Sequence, residues 1–89
     1  MDRLEAMSAL LAAVEAGSLS GASRKLGMPL ATVSRKVSEL EAHLRTRLVT
    51  RTSRRLILTD AGRSYVTACR RILDDIDEVV ERAKRIIYF

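Results

Sequence analysis

The sequence predicts a mainly α fold: a three-helix core, a two-stranded hairpin, and one long terminal helix. Three observations predict it. Apolar residues recur at alternating spacings of three and four in several segments, which is the period of a helix with one buried face. One pair of short β-prone runs brackets a polar, basic tip. Neither Gly nor Pro follows Gly62, so nothing interrupts the last helix. At 89 residues the chain is one small domain, with 47% apolar and 30% charged residues. Its aromatic content is 3%, so the core is aliphatic.

Helix one is expected from Asp2 to Ala16. Asp2 and Glu5 have capping-box spacing, Leu4, Met7, Leu11 and Val14 form the stripe, Leu10 widens it, and Gly17 suits a left-handed end. Ser18 and Ser20 are both N-cap candidates for a very short second helix, about Gly21 to Leu26, ended by Gly27-Met28-Pro29. In the third helix Leu30, Val33, Val37, Leu40 and Leu44 face the core, and Ala31, Arg35, Ser38 and Ala42 point away, with Thr32 and Ser34 on the flanks. That outer face is small, hydroxylic and basic where an ordinary solvated face carries long Glu and Lys pairs. Leu48 to Arg51 and Leu56 to Leu58 are the hairpin strands, with Thr52-Ser53-Arg54-Arg55 at the tip. Thr59 caps the last helix, and Asp60 suits its dipole. Along it Tyr65, Cys69, Ile72, Ile76, Val79, Ala83 and Ile86 make an a/d stripe, an interaction surface longer than the domain can cover and therefore the expected interface of a homodimer.

Charge is concentrated. The chain carries +5, and residues 24–58 hold nine Lys and Arg against Glu39 and Glu41, a local net of +7. A short helix, a glycine turn and a second helix with a small polar face form a helix-turn-helix, and the basic hairpin makes it winged. A helix of this kind fits the major groove of duplex DNA while cationic flanks grip phosphates.

The residues that carry this pattern also resemble a family. Gly17-Ser18-Leu19-Ser20-Gly21-Ala22-Ser23, Leu26-Gly27, Val33-Ser34-Arg35-Lys36-Val37, Leu40-Glu41, Leu44, Leu48, Arg51, Arg54-Arg55 and Leu58-Thr59-Asp60-Ala61-Gly62 resemble the N-terminal domain of LysR-type transcriptional regulators over nearly all of residues 3–66. The resemblance implies a bacterial winged helix-turn-helix over residues 1–58, a linker helix over 59–89 pairing antiparallel in a homodimer, and double-stranded operator DNA as partner. It places Ser34 and Arg35 on the family's recognition-helix Ser-Arg, and Arg54-Arg55 on its basic wing. The expected DNA-contacting set is Ser20, Leu30, Ala31, Thr32, Ser34, Arg35, Ser38, Arg51, Arg54 and Arg55. The chain departs from the family at Leu10, Leu19 and Val49, where Phe is usual, at Arg45, where Gly is usual, and at Pro29-Leu30-Ala31, where Ser-Gln-Pro is frequent. Family members continue into a two-lobed effector-binding domain; these residues stop where the linker helix would end, so no small-molecule effector site is expected within them.

Other function classes fit less well. His43 and Cys69 are the one His and the one Cys, 26 positions apart, with no phosphate loop or metal-ligand spacing, so neither catalysis, a cofactor nor a metal is expected. A protein-interaction module would favour exposed aromatics or Leu where Thr32, Ser34, Arg35 and Ser38 stand. No apolar run approaches the roughly 18 residues of a membrane span, and Asp74-Asp75-Asp77-Glu78 would be repelled by anionic lipid. The N-terminus lacks the order of a signal peptide and one cysteine forms no internal disulfide, so a cytoplasmic location is expected.

Overall fold

The computed structural model describes residues 1–52 and 55–87. In chain order these are α1 (Arg3–Ala16), α2 (Leu19–Leu26), α3 (Leu30–Leu44), β1 (Val49–Arg51), β2 (Leu56–Leu58) and α4 (Asp60–Ile87). The strands pair antiparallel, with Val49 opposite Leu58, Thr50 opposite Ile57 and Arg51 opposite Leu56. The fold is a winged helix-turn-helix with a long fourth helix.

α1 is the central helix. Asp2 caps it, its carboxylate accepting from the Glu5 amide at 3.1 Å. The expected stripe understates its burial. Ala6, Ala9, Ala12 and Ala13 are buried along with Met7, Leu10 and Leu11, so over these residues the helix is enclosed rather than one-sided. Alanine lets neighbouring backbones approach: Ala9, Ala12 and Ala13 meet Ala22 of α2 and Val33 of α3 in one cluster, while Met7, Leu10 and Leu11 meet Val37, Leu40, Leu48, Val49, Val66 and Cys69 in the other. Leu4, expected in the stripe, is 46% exposed because the first turn overhangs the core.

α2 begins at Leu19, two residues before the expected start. Ser18 is its N-cap, accepting from the Gly21 amide at 2.9 Å, and Ser20 sits inside the first turn rather than capping it. Gly27 closes the helix at φ 65°, and the Met28 amide donates back to the Ser23 carbonyl at 3.1 Å. Pro29 then precedes α3 and offers no capping side chain; the Thr32 and Val33 amides donate to its carbonyl instead. Val33, Val37 and Leu40 are fully buried, as their spacing requires, and Leu44 packs against the core edge. Leu30 departs from its expected place in the core: it is 47% exposed, in the first turn of α3 and beyond the core's reach.

α3 ends at Arg45, which takes a left-handed conformation, φ 52° and ψ 39°. Its amide donates to the Ala42 carbonyl and the Thr46 amide to the Glu41 carbonyl, the two bonds of a Schellman motif. A non-glycine residue therefore bears a conformation that costs it about 1–2 kcal/mol.

Glu41 ties α3 to the wing: its carboxylate accepts from the Leu48 amide at 2.7 Å and the Val49 amide at 3.2 Å. The start of α4 is held at the same strand. Thr59 donates its hydroxyl to the Arg47 carbonyl at 2.7 Å and its amide to the Leu48 carbonyl at 3.0 Å, and its hydroxyl oxygen accepts from the Gly62 amide at 3.0 Å. A Cβ on Gly62 would lie 2.0 Å from the Leu48 carbonyl oxygen, so only glycine permits this approach.

α4 has two parts. Val66 and Cys69 are buried in the domain's own core, with Tyr65 and Leu73 packed against it. Beyond these the helix projects; its 28 residues span about 42 Å at 1.5 Å per residue, and the molecule measures 51 × 25 × 22 Å.

Candidate nucleic-acid interface

The outer face of α3 and the wing meet in a shallow groove of about 660 Å³ that also takes in the N-terminus of α2. Six of the residues expected at the interface line it: Ser20, Leu30, Ala31, Ser34, Arg51 and Arg55. Thr32 is half-buried on the flank of α3, and Arg35 and Ser38 are exposed along the same helix, as the period requires. Arg54 lies outside the described residues.

Arg51 joins the two elements. From β1 its guanidinium donates to the Ser34 hydroxyl at 2.8 Å and to the Ser38 hydroxyl at 3.0 Å, and it stands 3.8 Å from the Glu41 carboxylate. Ser34, Ser38 and Glu41 lie on three successive turns, so one side chain runs along the helix and fixes strand to helix. A hydroxyl that accepts from Arg51 keeps its proton free to donate, so Ser34 still has a donor for an anion. At the wing the Arg55 amide donates to the Thr52 hydroxyl and the Thr52 amide to the Arg55 carbonyl, both at 2.9 Å.

Arg35 behaves differently. Its side chain is 63% exposed and pairs with Glu39 one turn away at 3.4 Å. An exposed pair of this kind contributes only about 0.3–0.5 kcal/mol, so the guanidinium is readily released to a better acceptor. Lys36, by contrast, is mostly covered and held by Glu5 of α1 at 3.1 Å, which leaves it a structural cation.

Two features of the site go beyond what the sequence announces. Arg51 is expected from the sequence only as a DNA contact, yet it bridges wing and helix. Glu41 stands in the sequence only as part of a motif, yet it holds the strand. Their spacing on α3 (34, 38, 41) is a helical face and is legible; that an arginine of the next strand would lie along it is not.

On α4 the expected interface residues divide. Cys69 is 1% exposed, enclosed by its own chain, and offers no surface to a partner; Tyr65 is half-buried beside it. Burial pushes the Cys69 thiol above its ordinary range, and the neighbouring Tyr65 hydroxyl offsets part of the rise. Ile72, Ile76, Val79 and Ile86 are exposed, and Val80, not expected, joins Ile72, Ile76 and Val79 in one apolar patch. Ala83 is exposed further along. Among the described residues no group of His, Cys, Asp or Glu could hold a metal, and no helix is long and apolar enough to cross a membrane.

This architecture and sequence have known counterparts. Residues 4–63 match the bacterial regulatory helix-turn-helix protein, lysR family. The chain is 47% identical over 79 residues to an HTH-type transcriptional repressor of Pseudomonas aeruginosa (strain UCBPP-PA14), covering 89% of this chain and 25% of that protein. It is 42% identical over 82 residues to the HTH-type transcriptional activator AaeR of Escherichia coli (strain K12), covering 92% and 26%. It thus spans about a quarter of the length of these relatives. Among solved structures, the BenM_DBD/catB site 1 DNA complex superposes with a TM-score of 0.90 at 30% identity, covering 97% of this chain and 91% of that one. The CbnR_DBD–DNA complex superposes at 0.88 with 28% identity, covering 97% and 98%. The winged helix, the long fourth helix and the match over 4–63 agree, and the chain belongs to the lysR family of bacterial regulatory helix-turn-helix proteins.

Proposed function

We propose that the chain binds double-stranded DNA sequence-specifically, as the DNA-binding domain of a bacterial transcriptional regulator acting as a homodimer. α3 enters the major groove, and the wing around residues 51–55 meets the adjacent minor groove. The carrying observation is the Arg51 bridge: it locks a cationic wing to the exposed hydroxylic face of α3, so that helix and wing present one rigid surface. Arg35, Arg51 and Arg55, three of the cations behind the local net of +7 over residues 24–58, lie on or beside the same surface. The likeness to two DNA-bound domains supports the reading. A repressor and an activator share this domain, so its common contribution is attachment to DNA rather than the direction of regulation.

Residues 1–58 carry the reading head and 59–89 the linker helix, whose first turns also close the core. The homodimer forms through the apolar patch of Ile72, Ile76, Val79 and Val80, extended by Ala83 and Ile86. Exposed to water, each Ile or Val forgoes about 1.5–3 kcal/mol, which a second copy of the helix recovers. The family is one of transcription regulators, and the site fits binding rather than catalysis.

Affinity for a duplex, measured at several salt concentrations, tests this. Phosphate neutralisation releases counterions, so the logarithm of the association constant falls linearly and steeply with the logarithm of salt. A flat response would overturn the reading.

A further inference from the structure

Leu30 is a large apolar side chain, 47% exposed, in the first turn of α3. The other large exposed apolar residues among those described are Met1 and Leu4 at the chain start, Ile57 on the wing, and the α4 patch. Leu30 alone stands on the surface assigned to DNA, with Ala31 beside it and the polar groups of Ser34, Arg51 and Arg55 around the same groove. Leu30 shares the groove with Leu19 and Leu56, but among the described residues it belongs to neither core cluster. Base edges in the major groove are hydrogen-bonding groups with one apolar exception, the thymine 5-methyl group. The cations beside the groove match the phosphates on either side of such a base, and Ala31 is small enough to let the helix approach.

Resting on the DNA-binding reading, we infer that Leu30, with Ala31, is a specificity-determining contact that reads thymine through its 5-methyl group. The residue therefore demands a T·A pair at one position of each half-site without a hydrogen bond. Arg35 supplies the polar reading next to it, so the two side chains specify by different chemistry.

The test uses the 89-residue chain and the duplex it retains best from a random-sequence pool. Each thymine is replaced in turn by deoxyuridine, which removes the methyl group and leaves all hydrogen-bonding groups. One thymine per half-site is expected to lose about three- to tenfold in affinity on this change. In Leu30→Ala that loss should disappear. Leu30→Gln should shift the preferred base toward adenine, whose N6 and N7 a glutamine amide can bridge. 5-Methylcytosine paired with guanine at the same position should recover part of what unmethylated cytosine loses. Uracil tolerated at every position would overturn the inference while leaving duplex binding intact. So would a uracil defect that persists unchanged in Leu30→Ala, or a Leu30→Ala variant that loses a protein partner and keeps its full affinity for DNA. Failure to retain any duplex would overturn the DNA-binding reading itself, and this inference with it. Leu30 is outside the core, so far-ultraviolet circular dichroism of the variants should match that of the parent.

Discussion

Arg35 and Arg51 both reach the outer surface of α3, and their surroundings assign them different work. Arg35 is exposed and weakly paired, and its fork is free to meet guanine O6 and N7. Replacing it by Ala should cost about 1–3 kcal/mol on the preferred duplex and blur preference at one base pair. Arg51 is committed to Ser34 and Ser38. Arg51→Lys keeps the charge but not the fork that spans two hydroxyls, so the wing loosens, and preferred and scrambled duplexes should weaken to a similar degree. Binding isotherms on the two duplexes separate these outcomes; equal weakening by Arg35→Ala would make Arg35 a phosphate anchor. Arg45 is a third case. Its left-handed backbone is one that glycine adopts freely, so Arg45→Gly should stabilise the chain by about 0.5–1 kcal/mol, net of glycine's greater freedom when unfolded. A thermal melt reads this as a rise of about 2–8 °C.

α4 serves two masters along its length, and the elements differ in how plainly the sequence announces them. α3 is legible throughout its middle: Val33, Val37 and Leu40 are buried, and Ala31, Arg35, Ser38 and Ala42 lie off the core face, because one side of a surface helix follows its period. The period misplaces Leu30, since an apolar residue in an overhanging first turn has no core to meet. α1 is only half legible. Its alanines carry no strong signal for burial, yet they are what let α2 and α3 come close. On α4 the heptad stripe locates the apolar face but not its occupant. Tyr65 and Cys69 are taken up by the chain's own core, with Val66 and Leu73 added, and only from Ile72 onward is the stripe unpartnered. Periodicity tells which residues share a face and is silent on whether the neighbour is the same chain or another. The unpartnered part should be the dimer seam. Ile76→Asp places a charge in its middle and should give monomers in analytical ultracentrifugation while leaving the melting transition of the core in place. A dimer that survives the change would put the interface elsewhere.

At the scale of the whole molecule, positive charge and apolar surface occupy different ends. The basic stretch of residues 24–58 lies on the winged end, and the apolar patch lies on the projecting half of α4, where Asp74, Asp75, Asp77, Glu78 and Glu81 outnumber Arg82, Lys84 and Arg85. On the proposed reading, a dimer built at the far end would hold two reading heads apart at a set separation, and its two-fold symmetry would be mirrored in the preferred DNA. Removing Arg54 or Arg55 from the wing should reduce the salt slope by about one unit for each phosphate left unneutralised, whatever the sequence of the duplex. The most direct measurement is selection of binding sites from random duplex DNA with the purified chain. The expected product is a pair of inverted half-sites about one helical turn, or a multiple of it, apart. A pool that emerges as random as it entered would contradict sequence-specific recognition, and a single unrepeated site would contradict the dimer.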